Sequence, residues 1–119
     1  NSVSLHSRAA NQEGFGEISL EKLVREALRM RPDRIAVGEA RGEELAVLLQ
    51  AMNTGHTGAG FTLHANGIDE VVPRMLSLLA RSGITPSLGR MMIASAIDYV
   101  LLMNKNPRSL SLIEPLVLR

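Results

Sequence analysis

Apolar residues recur at helical spacing in three segments of the chain. In the first segment, over 19–31, one face of the helix holds Leu20, Leu23, Val24, Ala27 and Leu28. Ser19 is a good N-cap for this helix, and Pro32 ends it because a residue before proline is pushed out of the α region. The same spacing predicts two further helices, over 43–53 and from 68–72 to 82. Thr85 as N-cap and Pro86 at the first helical position predict a fourth helix, over 86–96.

Shorter apolar stretches predict strands, over 2–8, 34–38, 60–65, 98–103 and 109–114. The run at 34–38 is continuously apolar after its first residue, which is typical of a strand buried on both faces of a parallel sheet. A helix separates it from 60–65, so we expect a βαβ unit with parallel pairing. The turn residues KNPRS predict that the last two strands form a hairpin. The pattern therefore predicts that 1–119 is one α/β domain, or a piece of one, with a mostly parallel sheet flanked by helices.

Composition narrows the function classes. The 119 residues carry a formal net charge of +1 and only 3% aromatic residues, so we expect no direct contact with nucleic acid. The absence of cysteine excludes a disulfide framework, a zinc ribbon and thiol chemistry. The longest strongly apolar run, 100–103, is too short to span a bilayer. The first residue is Asn1 rather than Met, and we expect the sequence to be a segment of a longer protein.

Glu39 is the first candidate for chemistry. It follows the predicted strand 34–38 after Gly38, and ligands of parallel α/β sheets bind beyond the carboxyl ends of the strands. A carboxylate at that edge can hold a Mg²⁺-bound water or orient an attacking water. The alternative is that Glu39 only stabilises the N-terminus of the helix over 43–53.

A polar face on the next strand is the second candidate. Along 60–65 the side chains of Phe61, Leu63 and Ala65 alternate with those of Thr62, His64 and Asn66. In the predicted sheet this polar face lies one strand from Glu39, and a polar face on an interior strand is costly unless something polar meets it. The alternative for His64 is a core histidine bonded to a backbone carbonyl. His56 is interpreted as a loop residue, and the three histidines have no metal-ligand spacing.

These residues resemble a known family. The segment RMRPDRIAVGEARG resembles the Walker B segment of the type II/type IV secretion ATPases, and TGHTGAGFTLHAN resembles their His box. The preceding stretch, over 3–34, is most similar to the branch that drives tight-adherence (Tad) pili, followed by the conjugation ATPases. The resemblance covers essentially the whole chain.

The resemblance implies a RecA-like P-loop core that forms a hexameric ring at the cytoplasmic face of the inner membrane. It implies hydrolysis of ATP with Mg²⁺ to drive pilus assembly, secretion or conjugative transfer. It also implies inner-membrane platform proteins as partners. Glu39 matches the Walker B glutamate that activates water, with Mg²⁺ held nearby through water and no direct metal ligand. His64 matches the His-box histidine, and Gly38, Thr62 and Asn66 support the site. Arg8 and Arg41 match candidates for a nucleotide contact or an arginine finger, although Arg8 is equally interpreted as a surface arginine at a strand end.

The sequence also departs from the family. It contains no G-x-x-x-x-G-K-[ST], so the phosphate cradle of Walker A is missing, and Ala9-Ala10 stands where the family has two prolines. We therefore expect 1–119 to be the C-terminal part of the ATPase domain and to be inactive by itself. The alternative function is a non-catalytic RecA-like ring or adaptor module. A DNA helicase or recombinase would need a basic loop with aromatic residues, which the sequence lacks.

Overall fold

The computed structural model describes residues 2–106 and 108–116. Its helices agree closely with the predicted ones. The elements in chain order are α1 (Leu20–Arg29), β1 (Ala36–Val37), α2 (Glu44–Asn53), β2 (Gly60–Phe61), a 3₁₀ turn (Ile68–Glu70), α3 (Val71–Ala80), α4 (Pro86–Ala96), β3 (Tyr99–Lys105) and β4 (Arg108–Pro115). The predicted domain also includes residues 1, 107 and 117–119, and the predicted turn includes Pro107; these lie outside the described residues.

Local sequence signals set the helix ends. The Ser19 hydroxyl accepts a hydrogen bond from the backbone N–H of Lys22 at 3.2 Å, and so caps α1 as predicted. At the other end, Arg31 precedes Pro32 and has a φ of 51°, in the left-handed region that few residues other than glycine adopt. The helix therefore stops at Arg29 because the chain turns away from helical geometry before the proline.

Helix α2 is the centre of the molecule, since almost every side of it is covered. Its Leu45 and Leu49 pack with residues of α3 and α4, among them Met75, Leu79 and Ile93, all at most 1% exposed. Its other side forms a second cluster with α1 and the β1 segment, made of Val24, Ile35, Val37, Val47 and Leu48. The helix thus joins two cores, and it follows β1 directly in the chain.

The strands form two small sheets. Strands β1 and β2 pair in parallel, with Ala36 opposite Gly60 and Val37 opposite Phe61, which confirms the predicted βαβ unit. Strands β3 and β4 pair antiparallel, which confirms the predicted hairpin. The prediction of a mostly parallel sheet is wrong for the described residues, because the parallel pair has two residues per strand and the hairpin is longer.

Two strand predictions also need correction. Residues 2–8 form no strand; a single antiparallel bridge joins Arg8 to Ile18, so the alternating pattern there has no partner strand to pair with. In the segment 34–38, Ile35 and Val37 are buried, but Arg34, Ala36 and Gly38 are exposed. Helices α1 and α2 cover only one face of the parallel pair, so burial alternates along the segment. The prediction that this strand is buried on both faces is therefore wrong.

Exposed apolar side chains concentrate on the hairpin. On the hairpin, the side chains of Tyr99, Leu101, Met103, Leu110 and Ile113 are exposed. Val100 of β3 packs against the core, and so does Leu116, the residue directly after β4. Over residues 2–106 and 108–116, no helix has the length and hydrophobicity to cross a bilayer.

Candidate active site

The candidate site forms where the chain leaves the two parallel strands. Beyond β1 and β2 the two segments remain joined, since the Thr62 hydroxyl donates to the Gly38 carbonyl and the Ala40 N–H donates to the Thr62 carbonyl at 2.9 Å. Phe61, Leu63 and Ala65 pack against the core, as the alternation predicts. The polar residues between them therefore lie on the open side, beside the segment that carries Glu39.

Glu39 is held between two basic side chains. Its Oε1 lies 3.2 Å from Nε2 of His64, and its Oε2 forms an ion pair with Nη2 of Arg41. The Glu39 side chain is 22% exposed, whereas those of Arg41 and His64 are 76% and 88% exposed. The cluster is therefore a surface site in which the carboxylate is the innermost group.

These neighbours keep the Glu39 carboxyl group ionised. The hydrogen bond from Arg41 is the main cause that lowers the pKa of Glu39, against partial desolvation, which raises it. The charges of Arg41, His64 and Arg74 lower it further. Conversely, the Glu39 carboxylate raises the pKa of Arg41. A carboxylate held anionic in this way is suited to orienting a water molecule or attracting a cation, and less suited to storing a proton.

The geometry decides between the alternatives for two residues. A core histidine is wrong for His64, because its side chain is 88% exposed and directed to Glu39. Glu39 does not act at the start of α2: that helix begins at Glu44, and the Glu39 carboxylate is bound to Arg41 and His64. Glu44 instead supplies the carboxylate at that helix start.

The structure does not bring Asn66 or Arg8 to Glu39. The Asn66 side chain donates to Oε2 of Glu70 at 3.0 Å, and its backbone N–H donates to the same oxygen at 3.1 Å, so it belongs to the turn before α3. The Arg8 Nε donates to the carbonyl oxygen of Gly16 at 2.7 Å, within the loop that leads to α1. Its position agrees with the interpretation of Arg8 as a surface arginine.

Three residues near the site were missed by sequence reasoning. Arg74 contributes charge to the Glu39 carboxylate, Glu44 binds the backbone of the loop after Glu39, and Arg81 binds the same loop. Glu44 lies in the first turn of the helix predicted over 43–53, where an anion is favoured, but its bonds to the loop ahead of the helix carry no sequence signal. Arg81 carries no sequence signal, because it contacts a residue 40 positions away.

Sequence comparison identifies relatives of the chain. The model of the type II/IV secretion system protein family matches residues 2–108. A Mycobacterium tuberculosis protein named for conjugal transfer is 50% identical over 99 residues, which make up 83% of this chain and 28% of that protein. VirB11 of Agrobacterium fabrum is 33% identical over 94 residues, which make up 76% of this chain and 27% of that protein.

Structural comparison agrees with the sequence match. The structure of the VirB11 ATPase from the Brucella suis type IV secretion system, in complex with sulphate, superimposes with a TM-score of 0.75 at 21% identity. The superposition covers 82% of this chain and 32% of that chain, and it shows a common α/β fold. The chain thus spans less than a third of the length of these relatives. It belongs to the type II/IV secretion system protein family.

Proposed function

We propose that the chain is the C-terminal part of the ATPase domain of a motor protein that powers type II/IV secretion, pilus assembly or conjugative transfer. The observation that carries the proposal is the contact of Glu39 with His64 and Arg41 at the carboxyl ends of two adjacent parallel strands. The fold shared with a VirB11 ATPase and the names of the relatives, which refer to conjugal transfer and type IV secretion, support it. Nothing in the comparisons favours the alternative of a non-catalytic ring or adaptor module.

In this proposal the complete protein has a RecA-like P-loop core and assembles as a hexamer. It acts at the cytoplasmic face of the inner membrane with platform proteins of a secretion or pilus system, the Tad branch included. These features follow from the family resemblance of the two motifs that contain Glu39 and His64.

Glu39 is the Walker B glutamate of the proposed site, and its task is to orient the attacking water. The lowered pKa of its carboxyl group supports this role, because the group is anionic throughout the neutral range. His64 is the His-box histidine, placed beside that carboxylate. Arg41 is the better of the two arginine candidates for a nucleotide contact, since its guanidinium already lies at the site and that of Arg8 does not.

The donor set at the site fits Mg²⁺ held through water. Among the described residues, no group of three or more His, Cys, Asp or Glu side chains could hold a metal ion directly. Mg²⁺ usually keeps several waters and takes only one or two carboxylates besides phosphate oxygens, so Glu39 is the residue that would hold it, through a water. When bound, the ion neutralises charge that develops on the phosphates.

The phosphate cradle is not part of this sequence, which has no G-x-x-x-x-G-K-[ST]. Backbone N–H groups and the lysine of that motif supply most of the contacts to the β- and γ-phosphates. We therefore expect the 119-residue chain by itself to bind Mg-ATP too weakly for detection by isothermal titration. A micromolar dissociation constant for the isolated chain would contradict this expectation.

Glu39→Gln in the full-length protein tests the proposed function. The change keeps the size of the side chain and removes its charge, so the variant should bind Mg-ATP normally and hydrolyse it at least about 100-fold more slowly. Glu43→Gln is the matched control, because Glu43 is an exposed carboxylate four residues away that makes no capping hydrogen bond to α2. Steady-state phosphate release and nucleotide affinity are measured for both variants. Near-normal release by Glu39→Gln would remove this residue from the mechanism.

A further inference from the structure

A buried carboxylate lies behind the loop that carries Glu39. Glu44, the first residue of α2, is 5% exposed. Over residues 2–106 and 108–116 it is the only charged residue that is buried. A buried charge is costly unless hydrogen bonds or an opposite charge compensate it, so the partners of this carboxylate indicate its role.

The Glu44 carboxylate binds the backbone ahead of its own helix. Its Oε1 accepts hydrogen bonds from the backbone N–H groups of Arg41, at 2.5 Å, and of Gly42, at 2.9 Å. An ordinary N-cap side chain accepts from the second or third N–H group inside the helix. Glu44 instead reaches back into the loop between Glu39 and α2, through bonds that its negative charge strengthens.

Arg81 holds the same loop from another side. It is the C-cap residue of α3, and its Nη1 donates to the carbonyl oxygen of Arg41 at 2.8 Å. Gly42 fits closely between the two side chains: a Cβ placed there would lie 3.3 Å from Oε2 of Glu44 and 3.7 Å from Nη1 of Arg81. The N–H and the C=O of Arg41 are therefore both fixed, by residues of two different helices.

We propose that Glu44 and Arg81 are positioning residues that hold the Glu39 carboxylate in place beside His64. The inference rests on the proposed function, in which Glu39 orients the attacking water. Ala40 lies between Glu39 and the residues bound by Glu44 and Arg81. Its backbone N–H donates to the carbonyl oxygen of Thr62, after β2, at 2.9 Å. Three consecutive residues after Glu39 are thus anchored, and a displacement of about 1 Å at a reacting group can slow a reaction about 100-fold.

Arg81 offers the cleaner test, because it is exposed and its replacement opens no core. In the full-length protein, Arg81→Met removes the donor to the loop and should slow ATP hydrolysis about 10- to 100-fold. Nucleotide affinity and melting temperature should stay at the wild-type values. Arg81→Lys keeps one donor and should recover most of the rate, and Arg90→Met, at an exposed arginine of α4, is the matched control. Wild-type turnover of Arg81→Met would overturn the proposal.

Glu44 is tested with a graded pair of variants. Glu44→Gln keeps a carbonyl oxygen that can accept both backbone bonds, and we expect its turnover to remain within about threefold of wild type. Glu44→Ala removes the acceptor and should be slowed as much as Arg81→Met, about 10- to 100-fold. If Glu44→Ala fails to fold, Arg81→Met still decides the question. Equal turnover of Glu44→Ala and wild type would contradict the proposal.

A double-mutant cycle separates positioning from an independent effect. A residue that acts through Glu39 has little to add once that carboxylate is gone, so Arg81→Met should slow the Glu39→Gln enzyme by less than about twofold. An equal slowing in both backgrounds would overturn the positioning role while leaving the proposed function intact. Normal turnover of Glu39→Gln would instead contradict the proposed function, and the positioning role with it.

Discussion

The exposure of His64 gives a sharp prediction for its replacement. Its side chain is 88% exposed and its contact with the protein is the Glu39 carboxylate, at 3.2 Å. Replacing a surface residue of this kind changes the free energy of unfolding by no more than about 0.5 kcal/mol. The full-length protein is larger than this chain, and for a domain of about 150–250 residues that loss corresponds to a shift in melting temperature of no more than about 2 °C. Replacing a core histidine would destabilise the protein far more, so the melting temperature checks the exposed position of His64 independently of turnover.

The rate of ATP hydrolysis should fall in His64→Ala even though its stability changes little. If His64 acts in the reaction beside Glu39, His64→Ala in the full-length protein should lose about 100-fold in hydrolysis rate, as expected for removal of one well-placed polar group. Nucleotide affinity should change by no more than about threefold.

The assay combines thermal unfolding, phosphate release and nucleotide titration on one preparation. His6→Ala is the control, because His6 is exposed in the N-terminal segment. Unchanged turnover of His64→Ala at an unchanged melting temperature would refute a role for this histidine.

Three further predictions follow from particular contacts. Arg41→Ala removes the main cause that lowers the pKa of Glu39, so the acid limb of the kcat/KM profile should move to higher pH; an unmoved limb would show that Glu39 does not control it. Leu48→Ala empties a fully buried site between α1, β1 and α2 and should reduce the free energy of unfolding by about 2–5 kcal/mol. The control Leu88→Ala, at a half-exposed leucine, should lose less than about 1 kcal/mol. Urea denaturation compares the two variants, and equal losses would contradict the packing. Arg31→Gly relieves the strain of a left-handed backbone and should raise the free energy of unfolding by about 0.5–1 kcal/mol, seen as a higher melting temperature. A lower melting temperature would refute the strain argument.

Helices were predictable because their signals are local. The spacing of apolar residues, the Ser19 cap and the break at Pro32 all act within one or two turns, and the structure reproduces them. Strands were less predictable because a strand exists only with its partner. Residues 2–8 alternate as a strand would, yet they meet only a single bridge from Ile18. The burial of 34–38 likewise depends on what covers the sheet, which its own residues do not encode.

The candidate site was predictable as far as the strand geometry extends. Glu39 and His64 each follow one of two paired strands, so the parallel pairing alone brings them together. Asn66 keeps the alternation and is exposed like Thr62 and His64, but the chain bends at 66–67 into the 3₁₀ turn that begins at Ile68. Five residues beyond the strand, the Asn66 side chain has turned to Glu70. Contacts with Arg81 cross 40 residues and depend on the packing of α3 beside α2.

The exposure of the cluster is a second reason, beside the missing Walker A motif, to expect that the isolated chain is inactive. Catalytic electrostatics depends on fixed dipoles in a site from which water is excluded. Here Arg41 and His64, which flank Glu39, are 76% and 88% exposed, so water screens the charges that would act on a phosphate. The backbone of the loop is already fixed, while its surroundings are open. In the proposed function, a nucleotide and further protein would have to cover this surface before hydrolysis, and the chain would contribute the orientation of the carboxylate rather than the enclosure.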